Sequence, residues 1–126
     1  MPFDGQSVPT PIADALRRVL DGGNKWCKYT QRRSDGKHCI LGAVNFGFNY
    51  HGRPAWSDLR LAVMRSDPRA MEKAATETAI RSQGSLSEDT VFLAQWNNAD
   101  ETTYADIERA IDAFADIERQ RALVNA

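Results

Sequence analysis

Residues 35–44 read Asp-Gly-Lys-His-Cys-Ile-Leu-Gly-Ala-Val, a turn signal running directly into an apolar segment. Asp35 and Gly36 are turn formers, one by side-chain hydrogen bonding and one by its tolerance of positive φ. From His38 to about Asn45 the apolar residues Cys39, Ile40, Leu41, Ala43 and Val44 cover every side of a helix. A helix that is apolar all round belongs in the centre of a fold. The rest of the chain is therefore expected to wrap around this segment. Beyond it Phe46, Phe48 and Tyr50 alternate with Asn45, Gly47 and Asn49, a strand-like period. The helix is expected to end near Gly47 or to pass into an extended stretch there.

The flanking segments are helical by the same reading. Thr10-Pro11 is a helix start, a hydroxyl N-cap followed by proline at the first helical position. Ile12, Leu16, Val19 and Leu20 then recur at helical spacing, and Gly22-Gly23 closes the helix. Trp26 to Thr30 holds strand-prone residues ahead of the Ser34-Asp35-Gly36 turn, and fits a short strand or a crossing loop. Ser57 is a candidate N-cap for a helix through Leu59, Leu61, Ala62, Val63 and Met64. Asp67-Pro68 repeats the cap-plus-proline start ahead of Met71, Ala74, Ala75 and Ile80, with Gly84 placed to stop that helix. Val91-Phe92-Leu93 opens an apolar patch ending at Trp96, readable as a short strand or a helical turn. Thr103 and Asp106 resemble a capping box with a short acid, ahead of the stripe Ile107, Ala110, Ile111, Phe114 and Ile117.

Composition bounds the class. The chain has 126 residues, 42% apolar and 26% charged, which is the profile of one globular domain with a real core. No apolar run reaches the roughly 20 residues that span a bilayer. The segment MPFDGQSVPT lacks the basic-then-apolar order of a signal peptide. Cytoplasmic residence is the expectation that follows, with Cys27 and Cys39 reduced and a disulfide between them the lesser alternative. Net charge is −1, against a general polyanion binder. Yet residues 1–63 carry nine bases against five acids, and the remainder seven against twelve. Such asymmetry fits a basic binding face, or two halves that attract each other on folding.

Four constellations could carry chemistry. Cys39 at a helix N-terminus could be an activated thiol, since the helix dipole favours thiolate. His38 is its neighbour in sequence and diverges from it by about 100° on a helix, so it is badly placed as a base. His51 is the remaining histidine. The context Cys-Ile-Leu-Gly-Ala favours plain burial of the thiol. Cys27, His38, Cys39 and His51 lack the paired spacing of structural zinc sites, so no metal is expected. Trp96, Asn97, Asn98 and Asp100 could grip a polar ligand or another chain, or satisfy their own turn with Trp96 as a core anchor. Tyr29, Arg32 and Arg33, beside Trp26, interleave aromatics with bases as single-strand nucleic-acid binders do, but the set is small.

The same landmarks carry a family likeness. Trp26-Cys27, Gly36, Cys39-Ile40-Leu41-Gly42-Ala43, Trp96-Asn97-Asn98 and Thr103 through Ile107 span most of residues 10–117. In this order they resemble an uncharacterised family of small bacterial and phage-associated proteins. That pattern is tryptophan, glycine, Cys-x-Leu-Gly-Ala, Trp-Asn-Asp and a threonine opening a final helix. The chain departs from it at Asn98, where the pattern has aspartate, which weakens any role needing a negative charge there. The resemblance implies grouping and a helical build, and no mechanism.

The expected fold is mainly α, a compact single domain over residues 10–122 behind a flexible lead at 1–9. It has four to five helices, with short strands admissible around 26–30 and 90–96. The expected function is that of a small non-enzymatic cytosolic protein binding a protein partner or itself, with no cofactor and no membrane. A cysteine-dependent enzyme using Cys39, with His51 as candidate partner, is the alternative. A nucleic-acid-associated factor using the basic first half is the second.

Overall fold

The computed structural model describes residues 8–29, 33–48, 53–76 and 87–124. Six α-helices lie among them: α1 (Pro11–Leu20), α2 (Ile40–Phe48), α3 (Arg53–Ser66), α4 (Ala70–Ala75), α5 (Glu88–Asn98) and α6 (Tyr104–Val124). The fold is mainly helical, as the periodicity predicts, with one helix more than the upper expectation. No described helix is long and apolar enough to cross a membrane.

Helix α1 starts where the Thr10-Pro11 signal puts it, but the cap comes from elsewhere. The Thr10 hydroxyl donates to Asp14 (3.2 Å) and leaves the helix N–H groups alone. The N–H groups of Ile12 and Ala13 donate instead to the Glu118 carboxylate of α6, at 3.1 and 2.7 Å. Burial of Glu118 raises its pKa, and these two N–H donors only partly offset that. At the other end the left-handed turn begins one residue early, on Asp21 (φ 45°), and continues through Gly22 and Gly23. Gly23 is required for a second reason: a Cβ there would stand 2.9 Å from the Tyr104 ring.

The apolar segment opening at Cys39 is the buried helix α2, with Ile40 and Ala43 fully inaccessible and Leu41 and Val44 nearly so. It runs through Phe48 as helix, so the alternation from Phe46 does not produce a strand up to that point. Tyr50 lies outside the described residues. The two admissible strands are absent among the described residues. Near residue 26 there is only a single parallel bridge, Trp26 to His38. Residues 90–96 fall inside α5. Ser87 decides that outcome: its hydroxyl accepts the Thr90 N–H (3.3 Å), and Glu88 and Asp89 fill the dipole-favoured first turn. Helix α3 begins four residues before the expected Ser57 cap, with Pro54 in a first turn that needs no proline N–H.

The core lies where α6 backs α3 and α1, and where α5 crosses α2 and α4. Its largest inaccessible side chains include Trp96, Phe114, Leu16, Leu20, Ile40, Leu59, Leu93, Ile107 and Ile111. The expected stripe on the last helix, from Ile107 to Ile117, is buried throughout. Outside it, Arg121 clamps Asp58 of α3 with two bonds of 2.5 and 2.6 Å, and Arg17 of α1 reaches Asp112 at 2.8 Å.

Candidate functional site

The C-terminal turn of α5 carries Trp96, Asn97 and Asn98, all buried. Asn97 is wholly inaccessible and sits between two other chain segments. Its Oδ1 accepts the Trp26 indole N–H (2.8 Å) and the Ile40 backbone N–H (3.1 Å). Its Nδ2 donates to the Cys27 carbonyl (3.2 Å) and to Asn98 Oδ1 (3.1 Å). Ile40 opens α2, so its N–H is one of the donors a helix cannot satisfy by itself. Asn97 thus caps α2 from another helix while holding the segment that precedes it.

Asn98 continues the clasp. Its Oδ1 also accepts the Tyr29 N–H (2.7 Å), fixing a residue in the left-handed region at φ 72°. Tyr29 is thereby turned outward, with 65% of its surface exposed. Lys28 closes the other side, donating to the Ala99 carbonyl (2.6 Å) with its ammonium 5.7 Å from the Trp26 ring centroid. Both contacts to Asn98 Oδ1 ask for an acceptor, and a carboxylate supplies one equally well. That accounts for asparagine standing where the resembled pattern has aspartate.

Trp96 points the opposite way, into a cluster of buried charge. Its indole donates to Asp67 Oδ2 (3.0 Å), which also receives the Lys73 ammonium (2.9 Å). Lys73 reaches on to Asp106 Oδ2 (3.3 Å), and Asp106 accepts the Thr103 N–H (2.9 Å) and pairs with Arg109. All three charged residues of the chain Asp67–Lys73–Asp106 are about 7% exposed. Burial pushes the Asp67 carboxyl up, but the Trp96 and Lys73 donors outweigh it and hold the group below its ordinary value. Burial likewise raises Asp106, while the Thr103 N–H and Lys73 pull it lower overall. For Lys73, burial disfavours the ammonium and the two carboxylates more than restore it, so its pKa is raised. An amine held as ammonium has no lone pair to offer a carbonyl substrate, so this lysine is set up to bind and brace.

Beside the cluster is a cleft of about 170 Å³ lined by Arg69, Glu72, Lys73, Thr76, Ala99, Asp100 and Glu101. Of the four candidate binding residues, Asp100 lines this cleft. Trp96 reaches it indirectly, through Asp67 and Lys73, and Asn97 and Asn98 face the segment at 26–29. Asp67, Lys73 and Asp106 were not singled out by sequence reasoning as a cluster. Asp67 and Asp106 read as helix caps, and Asp106 does reach back to Thr103. Helix α4, however, starts only at Ala70, with Arg69 at its cap position and no side-chain cap. Asp67 closes the turn ahead of it by accepting the Arg69 N–H (3.0 Å). The sequence signal for Lys73 is its helical position. It falls between the buried Ala70 and Ala74, on the apolar face of α4.

Cys39 is 5% exposed and packs in the core, and burial raises its thiol pKa. His38 lies ahead of α2 and is stacked against Phe46, ring centroids 4.8 Å apart. Arg33 pairs with Asp35 at 3.3 Å. His51 and Arg32 lie outside the described residues. Among the described residues no three His, Cys, Asp or Glu side chains are grouped to hold a metal ion.

The profile of a family of unknown function, DUF6197, matches residues 7–117. Comparison with curated proteins and with solved structures finds no match.

The clasp makes the two asparagines unequal. Asn97→Asp removes the donors to Cys27 and Asn98 while leaving a buried charge, and is expected to cost about 3 kcal/mol or more. Asn98→Asp keeps both acceptor contacts and is expected to cost under about 1 kcal/mol. Urea denaturation of the two variants measures the difference. The charge cluster sets a pH window. Asp67 and Asp106, lowered from 3.8, give stability that is complete above that value and lost as pH falls through their folded pKa values. Lys73, raised from 10.5, gives stability complete below that value and lost as pH rises through its folded pKa. The cluster's own contribution is therefore flat between these limits, and in stability measured stepwise in pH Asp67→Asn should shrink the acid limb.

Proposed function

We propose that this chain, which belongs to the DUF6197 family of unknown function, works without catalysing a reaction, by binding a protein partner. One observation carries the reading. The family-pattern residues turn their polar groups inward, onto other parts of the same chain, while an apolar groove opens on a different face. The groove lies between α3 and α6, has a volume of about 290 Å³, and is lined by Leu61, Arg65, Ile117, Gln120, Arg121 and Val124. Leu61 is 40% exposed, with Met64, Leu123 and Val124 exposed close by in sequence.

A groove with an apolar floor and two guanidinium groups at its edge matches one partner chemistry. It suits the apolar stripe of an amphipathic helix whose flanks carry carboxylates, a helix-in-groove arrangement. Arg121 is already oriented by Asp58 and keeps part of its surface open (60%), so it can take a second acceptor. The setting proposed is the cytosol.

The test compares the wild-type chain with a Leu61→Asp/Val124→Asp variant, each used as bait in the native host with crosslinking. Both positions are partly exposed, so far-UV circular dichroism should be unchanged. The expected result is a protein captured by the wild type, crosslinked to α3 or α6, and lost by the variant. The reading is overturned if the variant captures the same proteins, or if the wild type crosslinks only to itself.

A further inference from the structure

Two cysteines stand where two chain segments run side by side. The His38 N–H donates to the Lys25 carbonyl (2.8 Å), and the His38 carbonyl accepts the Cys27 N–H (3.0 Å). These bonds pair Trp26 with His38 in parallel register. Paired residues on neighbouring extended segments sit about 4.8 Å apart and present their side chains to the same side, and successive residues alternate sides. Cys27 and Cys39 are the next residue of each segment, so they share the side opposite Trp26 and His38. Both are buried, at 6% and 5% exposure. A disulfide needs Cα atoms about 4.4–6.8 Å apart and Cβ atoms about 3.5–4.5 Å apart, and the bridge between Trp26 and His38 brings the backbones of the two cysteines alongside each other. The thiols are near enough that charge on Cys27 acts on Cys39.

Asn97 holds the same two places together. It donates to the Cys27 carbonyl and accepts the N–H of Ile40, the residue after Cys39. The backbone at the two cysteines is therefore held to one buried side chain from a third segment.

We propose that Cys27 and Cys39 form a disulfide site, closed by exchange with a low-molecular-weight disulfide. One thiolate, having given its proton to solvent, attacks a sulfur of the small disulfide and releases one small thiolate. The second cysteine loses its proton and attacks the protein-bound sulfur, releasing the other small thiolate. Both small thiolates take up the protons. The two cysteines are oxidised, the small disulfide is reduced to two thiols, and no other reactant is needed. Cys27 attacks first: it lies two residues from the exposed Tyr29, and although burial, with Asp35, raises its thiol pKa, Arg33 and Lys37 offset part of that. Cys39, deeper at the entry to α2, resolves the intermediate. Closure staples the start of α2 to the preceding segment, around the loop from residue 28 to residue 38.

The folded wild-type chain is incubated with oxidised glutathione in buffer, then analysed by intact mass and by non-reducing peptide mapping. The expected product has lost the mass of two hydrogen atoms, retains no glutathione, and yields one peptide pair joined through Cys27 and Cys39. Its urea midpoint is higher than that of the reduced chain and returns on reduction. The proposal is overturned by a product that keeps glutathione on either cysteine, by disulfide-linked dimers, or by thiols that stay intact until the chain is unfolded.

Discussion

The amide of Asn97 is the constraint on which the arrangement of this molecule depends. A primary amide offers two donors and two acceptor sites, and all four are used inside the protein, by Trp26, Ile40, Cys27 and Asn98. Leaving such a group buried without partners would cost several kcal/mol, so the side chain is tolerable only if three segments arrive together. Those segments are the end of α5, the stretch through Trp26 and Cys27, and the first residue of α2. The apolar helix α2 could pack into a core in many ways by burial alone. Asn97 admits the one in which the Ile40 N–H meets its oxygen.

Its neighbour in sequence fixes the other side of α5. Trp96 fills the core with its rings and gives its N–H to Asp67, which joins α4 and α6 through Lys73 and Asp106. Buried ion pairs of this kind add little net stability, because desolvation offsets most of the attraction, but removing one partner strands a charge. Their effect is to make alternative packings expensive. The same logic recurs at helix starts. Helix α1 is capped by Glu118 of α6, α2 by Asn97 of α5, and α6 by an Asp106 that Lys73 of α4 holds in place.

How far these ties were legible depends on whether they are local. Thr10-Pro11 marked the start of α1 correctly, because proline geometry is local, but its cap is a carboxylate 105 residues from Ala13 that no local pattern reveals. Phe92 and Leu93 were ambiguous between strand and helix, since a short apolar run has no decisive period. The Ser87 cap, three residues before the stretch at 90–96, resolves it. Trp96-Asn97-Asn98 stood out as a polar group able to hold a backbone. The backbone it holds proved to be the chain's own, at Cys27, Tyr29 and Ile40. Lys73 was passed over because a lysine on a helix is ordinarily solvated, and only the alanines flanking it mark its burial. Of the family-pattern residues, Trp26 and Asn97 meet in this lock with Asn98 beside them, and Trp96 turns the other way onto Asp67. The pattern therefore describes a build, and none of its residues lines the groove between α3 and α6.

Amide hydrogen exchange followed by NMR tests most directly whether the lock is part of the global fold. If Asn97 ties α2 to α5, the Ile40 amide and the Trp26 indole N–H exchange only through global unfolding, with the same opening free energy as the Leu93 amide in the core. Exchange of both protons through a local opening of much lower free energy, while Leu93 stays protected, would contradict it.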